Sequence, residues 1–242
     1  MSDNKILVLS DNLEMLKEFQ QRGKEFSDYE FIYAFSPGNL NAKKFTEIGC
    51  LEIDVSKNLT FILNNFNKIF SVHCKQIFPK ELVDQKSCFN LHPGLNPINR
   101  GWAPQTFSIL NNTPLGATLH QMSKEIDAGP IIAQIEVKVE EWDTSSTAYT
   151  KVLQAEKQIL DQSLDKVLNG RFFSKEPKER GNYNSQKDFL NLFELDLDTV
   201  STYRSFINHL RATSHPPYLN TFFLSKEGAK VFVKIELIKS ED

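Results

Sequence analysis

Residues 5–9 read KILVL, a continuous apolar run with no alternating polar positions. Such a run buries both faces, as a strand inside a parallel sheet does. Ser10, Asp11 and Asn12 follow directly and are good helix N-caps. Leu13, Leu16 and Phe19 then recur at helical spacing. A strand, a tight turn and an amphipathic helix in that order open an α/β architecture. The pattern continues with strands expected at 29–35, 69–73 and 87–91, and helices expected at 59–66 and just after Pro79. Residues 102–110 read as a helix, and 115–122 and 130–139 as strands. Residues 144–169 form a long amphipathic helical pattern that Gly170 ends.

Residues 171–184 (RFFSKEPKERGNYN) are charged and rich in breakers, and are expected to be a linker. Beyond them the texture changes. A helix is expected at 199–211, broken by His215-Pro216-Pro217. A β-hairpin is then expected from 221–224 and 231–238, turning at 225–228. The expected organisation is therefore a catalytic domain over 1–175 and a small α+β module over 176–242.

Net charge narrows the partners. With 28 Lys and Arg against 31 Asp and Glu, the chain carries −3. It lacks the basic field that non-specific nucleic-acid binding requires. It has 3 cysteines and no C-x-x-C, which fits a reducing compartment. The first residues lack the basic and apolar regions of a signal peptide, and no 18-residue apolar run occurs, so a cytoplasmic location is expected. His73 and Cys74 are adjacent, but strand neighbours point to opposite faces, which argues against a Cys–His nucleophile. G-x-G-x-x-G and G-x-x-x-x-G-K-[ST] are both absent, and no His/Cys spacing suggests a metal.

The chemistry points to residues 90–92 and 127. Asn90 and His92 sit at i and i+2 at the C-terminal end of an expected strand, so both face one side. Ligands of open α/β sheets bind at that end. An amide donor beside an imidazole suits acyl transfer, the amide holding an oxyanion and the imidazole taking a proton. An Asp nearby would orient the imidazole and raise its pKa. On spacing alone, His92 is one of five His, and a strand-end His is more often a packing or loop residue.

Three ordered elements add to this reading. They are Asn90-Leu-His92-Pro93, Gly116-Ala-Thr118-Leu-His120 and Asp127-Ala-Gly129-Pro130-Ile131. Together they resemble the N10-formyltetrahydrofolate-dependent formyltransferase family over residues 70–135, and in outline over 1–170. The resemblance implies a Rossmann-like domain with a mostly parallel sheet and a small C-terminal α+β module ending in a hairpin. It implies His92 as general base, Asn90 polarising the formyl oxygen and Asp127 supporting His92 and the transfer. The stretch from His92 to Gln105, the stretch from Ser71 to Pro79 and the tail around Leu210–Tyr218 are similar to the sugar-nucleotide branch, which formylates dTDP-linked amino-dideoxyhexoses. The implied substrate is dTDP-4-amino-4,6-dideoxyglucose, with dTDP-3-amino sugars open, and the product would serve surface-polysaccharide synthesis. The glycinamide ribonucleotide and methionyl-tRNA branches read differently after His92, and the tail is too short for a tRNA-gripping domain. A non-catalytic sugar-nucleotide sensor on the same fold would have no need of the Asn90, His92 and Asp127 set.

The implied formyl donor is N10-formyltetrahydrofolate, without metal. Phe78, Pro79, His120 and Gly129 are its candidate contacts. Candidate sugar-nucleotide contacts are Ser10, Asp11 and Asn12 at a helix N-terminus, then Lys75, Arg100, Trp102 and Gln105, and Tyr218 as a stacking surface. Each has a plainer reading as a cap, a loop residue or core packing. A homodimer paired through the tail hairpin is expected.

Overall fold

Residues 4–240 are described by the structure, a computed structural model. The opening apolar run is β1 (Lys5–Ser10), and its last five residues are all buried. Asn12 caps the helix that comes next, α1 (Leu13–Gly23), accepting from the Met15 N–H at 3.0 Å. The chain continues through β2 (Glu30–Phe35), α2 (Ala42–Glu47), β3 (Leu51–Glu52), α3 (Leu59–Asn65), β4 (Lys68–Val72), α4 (Lys80–Gln85) and β5 (Ser87–His92). It then forms β6 (Arg100–Gly101), α5 (Pro104–Asn111), β7 (Leu115–Gln121), β8 (Ile131–Val137) and α6 (Ser145–Leu168). The last part holds β9 (Tyr183–Asn184), α7 (Gln186–Leu190), α8 (Tyr203–Thr213), β10 (Phe222–Leu224) and β11 (Lys230–Phe232).

A seven-stranded sheet runs in the order β3-β2-β1-β4-β5-β7-β8. β1, β2, β3, β4 and β5 pair in parallel, and β7 runs antiparallel to β5. The chain winds outward from β1 in both directions, so the strand order reverses between β1 and β4. Ligands of such sheets bind outside the carboxyl ends of the strands at that reversal. Ser10, Val72 and His92 end β1, β4 and β5 on that edge.

Contacts group the chain into two compact units. The first holds 1–92, 118–135 and 156–178, and the second holds 93–117, 136–155 and 179–242. The units thus interleave along the chain and do not follow its linear order. The first has a phenylalanine core, with Phe19 and Phe70 centroids 5.2 Å apart, Phe70 and Phe89 5.1 Å, and Phe89 and Phe172 5.6 Å. Ring-on-ring packing of this kind adds to the burial gain of each aromatic side chain. In the second unit α5 packs on α8, and β10 and β11 form the expected antiparallel hairpin around Gly228.

Several boundaries differ from the sequence expectation. Helix α5 starts at Pro104, not at 102, because Ala103 takes a left-handed φ of 49° and Pro104 supplies the first turn. Trp102 therefore precedes the helix. His73 is not in a strand, since it leaves β4 with φ 57°. Helix α8 begins at Tyr203, where Thr202 caps the Ser205 N–H. The hairpin's second strand ends at Phe232. Residues 171–184 are not a slack connection. Lys175 exchanges two 2.8 Å backbone hydrogen bonds with Ile131, and β9 pairs with β6. α2, β3 and α7 had no clear signal. Among the described residues, no helix is long and apolar enough to cross a membrane.

Candidate active site

Asn90 and His92 lie on β5, and the antiparallel register sets Asn90 opposite His120 and His92 opposite Thr118 on β7. Asp127 joins them from the loop between β7 and β8. Its backbone is left-handed, with φ 51°. Two residues on, Gly129 lets that loop lie against β7. A Cβ there would overlap the Gln121 carbonyl and sit 3.0 Å from its carbon. The Gln121 N–H also donates to the Pro130 carbonyl at 2.9 Å. Gly129 thus has a packing role that places Asp127.

The Asp127 carboxylate is the centre of the group. The Asn90 side-chain N–H donates to Oδ1 at 2.8 Å. His92 Nδ1 is 3.5 Å from Oδ2, and His120 Nε2 is 3.6 Å from Oδ1. His120 Nδ1 donates to the Gln121 carbonyl at 2.8 Å, which fixes its tautomer and its ring. An Asn amide has two N–H bonds. One is spent on Asp127, so the other is available to an oxygen in front of β5.

His92 is 5% exposed, and its Nε2 is buried with no hydrogen-bond partner. With Nδ1–H toward Asp127, Nε2 carries the lone pair. The sequence expectation that Asp127 would raise the His92 pKa is not met. Burial lowers it to about 4; Asp127 pulls upward but loses to burial, and His120 and His73 push further down. Desolvation wins because the ring is almost wholly buried while Asp127 Oδ2 is as far as 3.5 Å from Nδ1. The imidazole is therefore neutral at pH 7.

The other expected contacts have specific surroundings. Asp11 is a latch between strand-end loops. Its carboxylate accepts from the Ser36 N–H at 3.0 Å, the Ser36 hydroxyl at 2.6 Å, Asn39 Nδ2 at 3.0 Å and the Lys75 N–H at 2.8 Å. Ser10 is buried and its hydroxyl donates to the Asn12 carbonyl at 3.0 Å. The Lys75 side chain is exposed. Phe78 packs in the core with Leu7, Leu9 and Leu82, and Pro79 precedes α4. In the second unit, Arg100 is 5% exposed and its N–H donates to the Asn182 carbonyl at 3.1 Å. The Trp102 N–H donates to the Asn184 carbonyl at 2.9 Å, and Gln105 Nε2 to the Ser145 hydroxyl at 3.3 Å. Tyr218 is 64% exposed, with its ring 6.1 Å from that of His215.

The sequence reading missed Glu156. It is fully buried in α6, and both its oxygens meet His73 Nε2, at 2.7 and 2.8 Å. The partners are 83 residues apart, and nothing in either segment signals the pairing. Cys74 is no nucleophile, because burial raises its thiol to about 11. Among the described residues, no group of three or more His, Cys, Asp or Glu is arranged to hold a metal.

Comparison with known proteins gives the family of the chain. Residues 55–164 match the family described as formyl transferase, and residues 188–239 match the N-formyltransferase dimerization C-terminal domain. Over 235 residues, 96% of each chain, the protein is 36% identical to a dTDP-4-amino-4,6-dideoxyglucose formyltransferase of Mycobacterium tuberculosis. A 4-N formyltransferase from Francisella tularensis superposes with a TM-score of 0.94 at 41% identity, covering 99% of this chain and 100% of that one. A sugar N-formyltransferase from Shewanella sp FDAARGOS_354 gives 0.94 at 39%, covering 98% and 99%. The chain belongs to the formyl transferase family and is an N-formyltransferase.

Proposed function

We propose that the protein transfers a formyl group from N10-formyltetrahydrofolate to the 4-amino group of dTDP-4-amino-4,6-dideoxyglucose. The observation that carries the chemistry is the buried, unpartnered and neutral His92 Nε2 beside the Asn90 amide. The sugar is supported by the 36% identical relative and the 41% identical 4-N formyltransferase, each matched over nearly its full length.

The formyl donor supplies an electrophilic carbon, and the sugar amine attacks it. As the N–C bond forms, negative charge gathers on the formyl oxygen. The second Asn90 N–H stabilises that oxygen. The attacking nitrogen becomes acidic, and His92 Nε2 takes its proton. The folate nitrogen then departs and receives that proton from His92. Asp127 touches neither bond. It orients the Asn90 amide and keeps the His92 proton on Nδ1.

The product would enter surface-polysaccharide synthesis. The buried cysteines fit a reducing cytoplasm. A homodimer through 188–239 is the assembly we infer, supported by the dimerization-domain match and by exposed Phe206, Ile207, Leu219 and Phe232 in that segment.

The test is incubation with N10-formyltetrahydrofolate and the 4-amino and 3-amino dTDP-sugars in parallel, read by mass spectrometry. A mass gain of one carbonyl on the 4-amino sugar is expected. Gain only on the 3-amino sugar, or on neither, overturns the substrate.

A further inference from the structure

The His73–Glu156 contact has no part in the transfer as described, yet it sits beside it. The β4–β5 register pairs Ser71 with Asn90 and Val72 with Leu91. The chain leaves β4 one residue later, at the level of His92. There His73 adopts a left-handed backbone, which is unfavourable for a residue other than glycine. Its ring meets Glu156 of α6. One ring nitrogen lies 2.8 and 2.7 Å from the two oxygens of a carboxylate that has no exposure, and the His73 side chain is only 8% exposed. Distances this short to both oxygens mark a charge-assisted contact. A buried carboxylate needs such a partner to remain charged.

We propose that His73 and Glu156 form a buried ion pair whose positive end, set beside His92, adds to burial in opposing protonation of that imidazole and so widens the acid range over which it can accept a proton. His73 is thus a positioning residue for the transfer and acts through His92. The inference rests on the formyl-transfer reading only for its purpose, since the state of His92 is measurable without substrate.

The groups acting on His92 are Asp127 from the β7–β8 loop, His120 from β7 and His73 from the end of β4. Asp127 favours the charged imidazole, while His120 and His73 oppose it. Glu156 is driven upward by burial and held back by His73. The charge on Glu156 therefore depends on His73. A structural tie alone would need only a hydrogen bond, which an amide supplies. A charged pair does something more, because its field reaches the next imidazole across a medium of low dielectric constant.

The experiment follows the ring protons of the five histidines by NMR across the acid range in the substrate-free protein. Wild type, His73→Gln, Glu156→Gln and the double variant are compared. Removing the positive end makes His92 easier to protonate, so its midpoint should rise by about half a pH unit to one unit. Glu156→Gln should give the same rise, and the double variant no more than either single change. A purely structural tie would lower the melting temperature and leave the His92 midpoint in place, which overturns the proposal. A fall in Glu156→Gln also overturns it, because that would be the direct loss of a negative charge. If His73→Gln does not fold, the nearly isosteric Glu156→Gln decides alone. Formylation by wild type tests the reaction separately, so failure of one is not failure of the other.

Discussion

Replacing His92 with Gln should change how the protein's stability depends on pH, by an amount set by burial. The unfolded imidazole titrates at 6.5, and the folded one at about 4. The unfolded chain therefore binds a proton that the folded chain refuses. Stability from this group is fully present above 6.5, falls as pH drops, and levels off below the folded value. That difference corresponds to about 3 kcal/mol at full extent. Between about pH 7 and pH 5, the share lost is about 2 kcal/mol. Other groups titrate in this range too, so the informative quantity is the difference between wild type and His92→Gln. Urea unfolding of both, followed by tryptophan fluorescence at the two pH values, measures it. The wild type should lose about 2 kcal/mol more than the variant. Equal losses would mean that the imidazole is not desolvated, and the neutral-base argument would fail with it. The same titration sets the acid side of the rate, so kcat/KM should stay level down to about pH 5 and fall below it.

Three further outcomes rest on named contacts. Asn90→Ala removes the oxyanion donor and should lower kcat about 10²–10³-fold with little change in nucleotide affinity, checked by steady-state kinetics and calorimetry. Gly129→Ala forces a Cβ against the Gln121 backbone, which cannot yield as a flexible side chain can. It should cost about 2–4 kcal/mol and lower Tm by roughly 4–16 °C, with activity falling as Asp127 shifts. An unchanged Tm by scanning calorimetry would show that the loop is not held where the structure puts it. Asp11→Ala leaves the Ser36 and Lys75 N–H groups without their acceptor. A loss of about 3 kcal/mol in urea unfolding is expected, with faster amide exchange at both positions.

Much of the fold is legible in local sequence because its causes are local. KILVL must be buried on both faces, Asn12 must cap the helix after it, and Gly170 ends the long helix with φ 65°. Asn90 and His92 share a face by strand periodicity alone, and the spacing of Asp127-Ala-Gly129-Pro130 carries the family resemblance. Asp127's distance from His92 is not legible there. It depends on Gly129 packing against Gln121, a contact made only when the loop folds onto β7.

The sequence by itself therefore determined the class of fold, the three central residue types and the kind of reaction. The first two depend on periodicity, capping and spacing within a few tens of residues, and the reaction on the resemblance that those residues carry to a known family. Tertiary structure alone decided the state of the site. The neutral His92, the latch at Asp11 and the His73–Glu156 pair all depend on burial and on partners distant in the chain. Desolvation is a property of everything packed around a group, so no reading of neighbouring residues supplies it. That is why an Asp beside a His pointed to a raised pKa, and the folded protein has a lowered one.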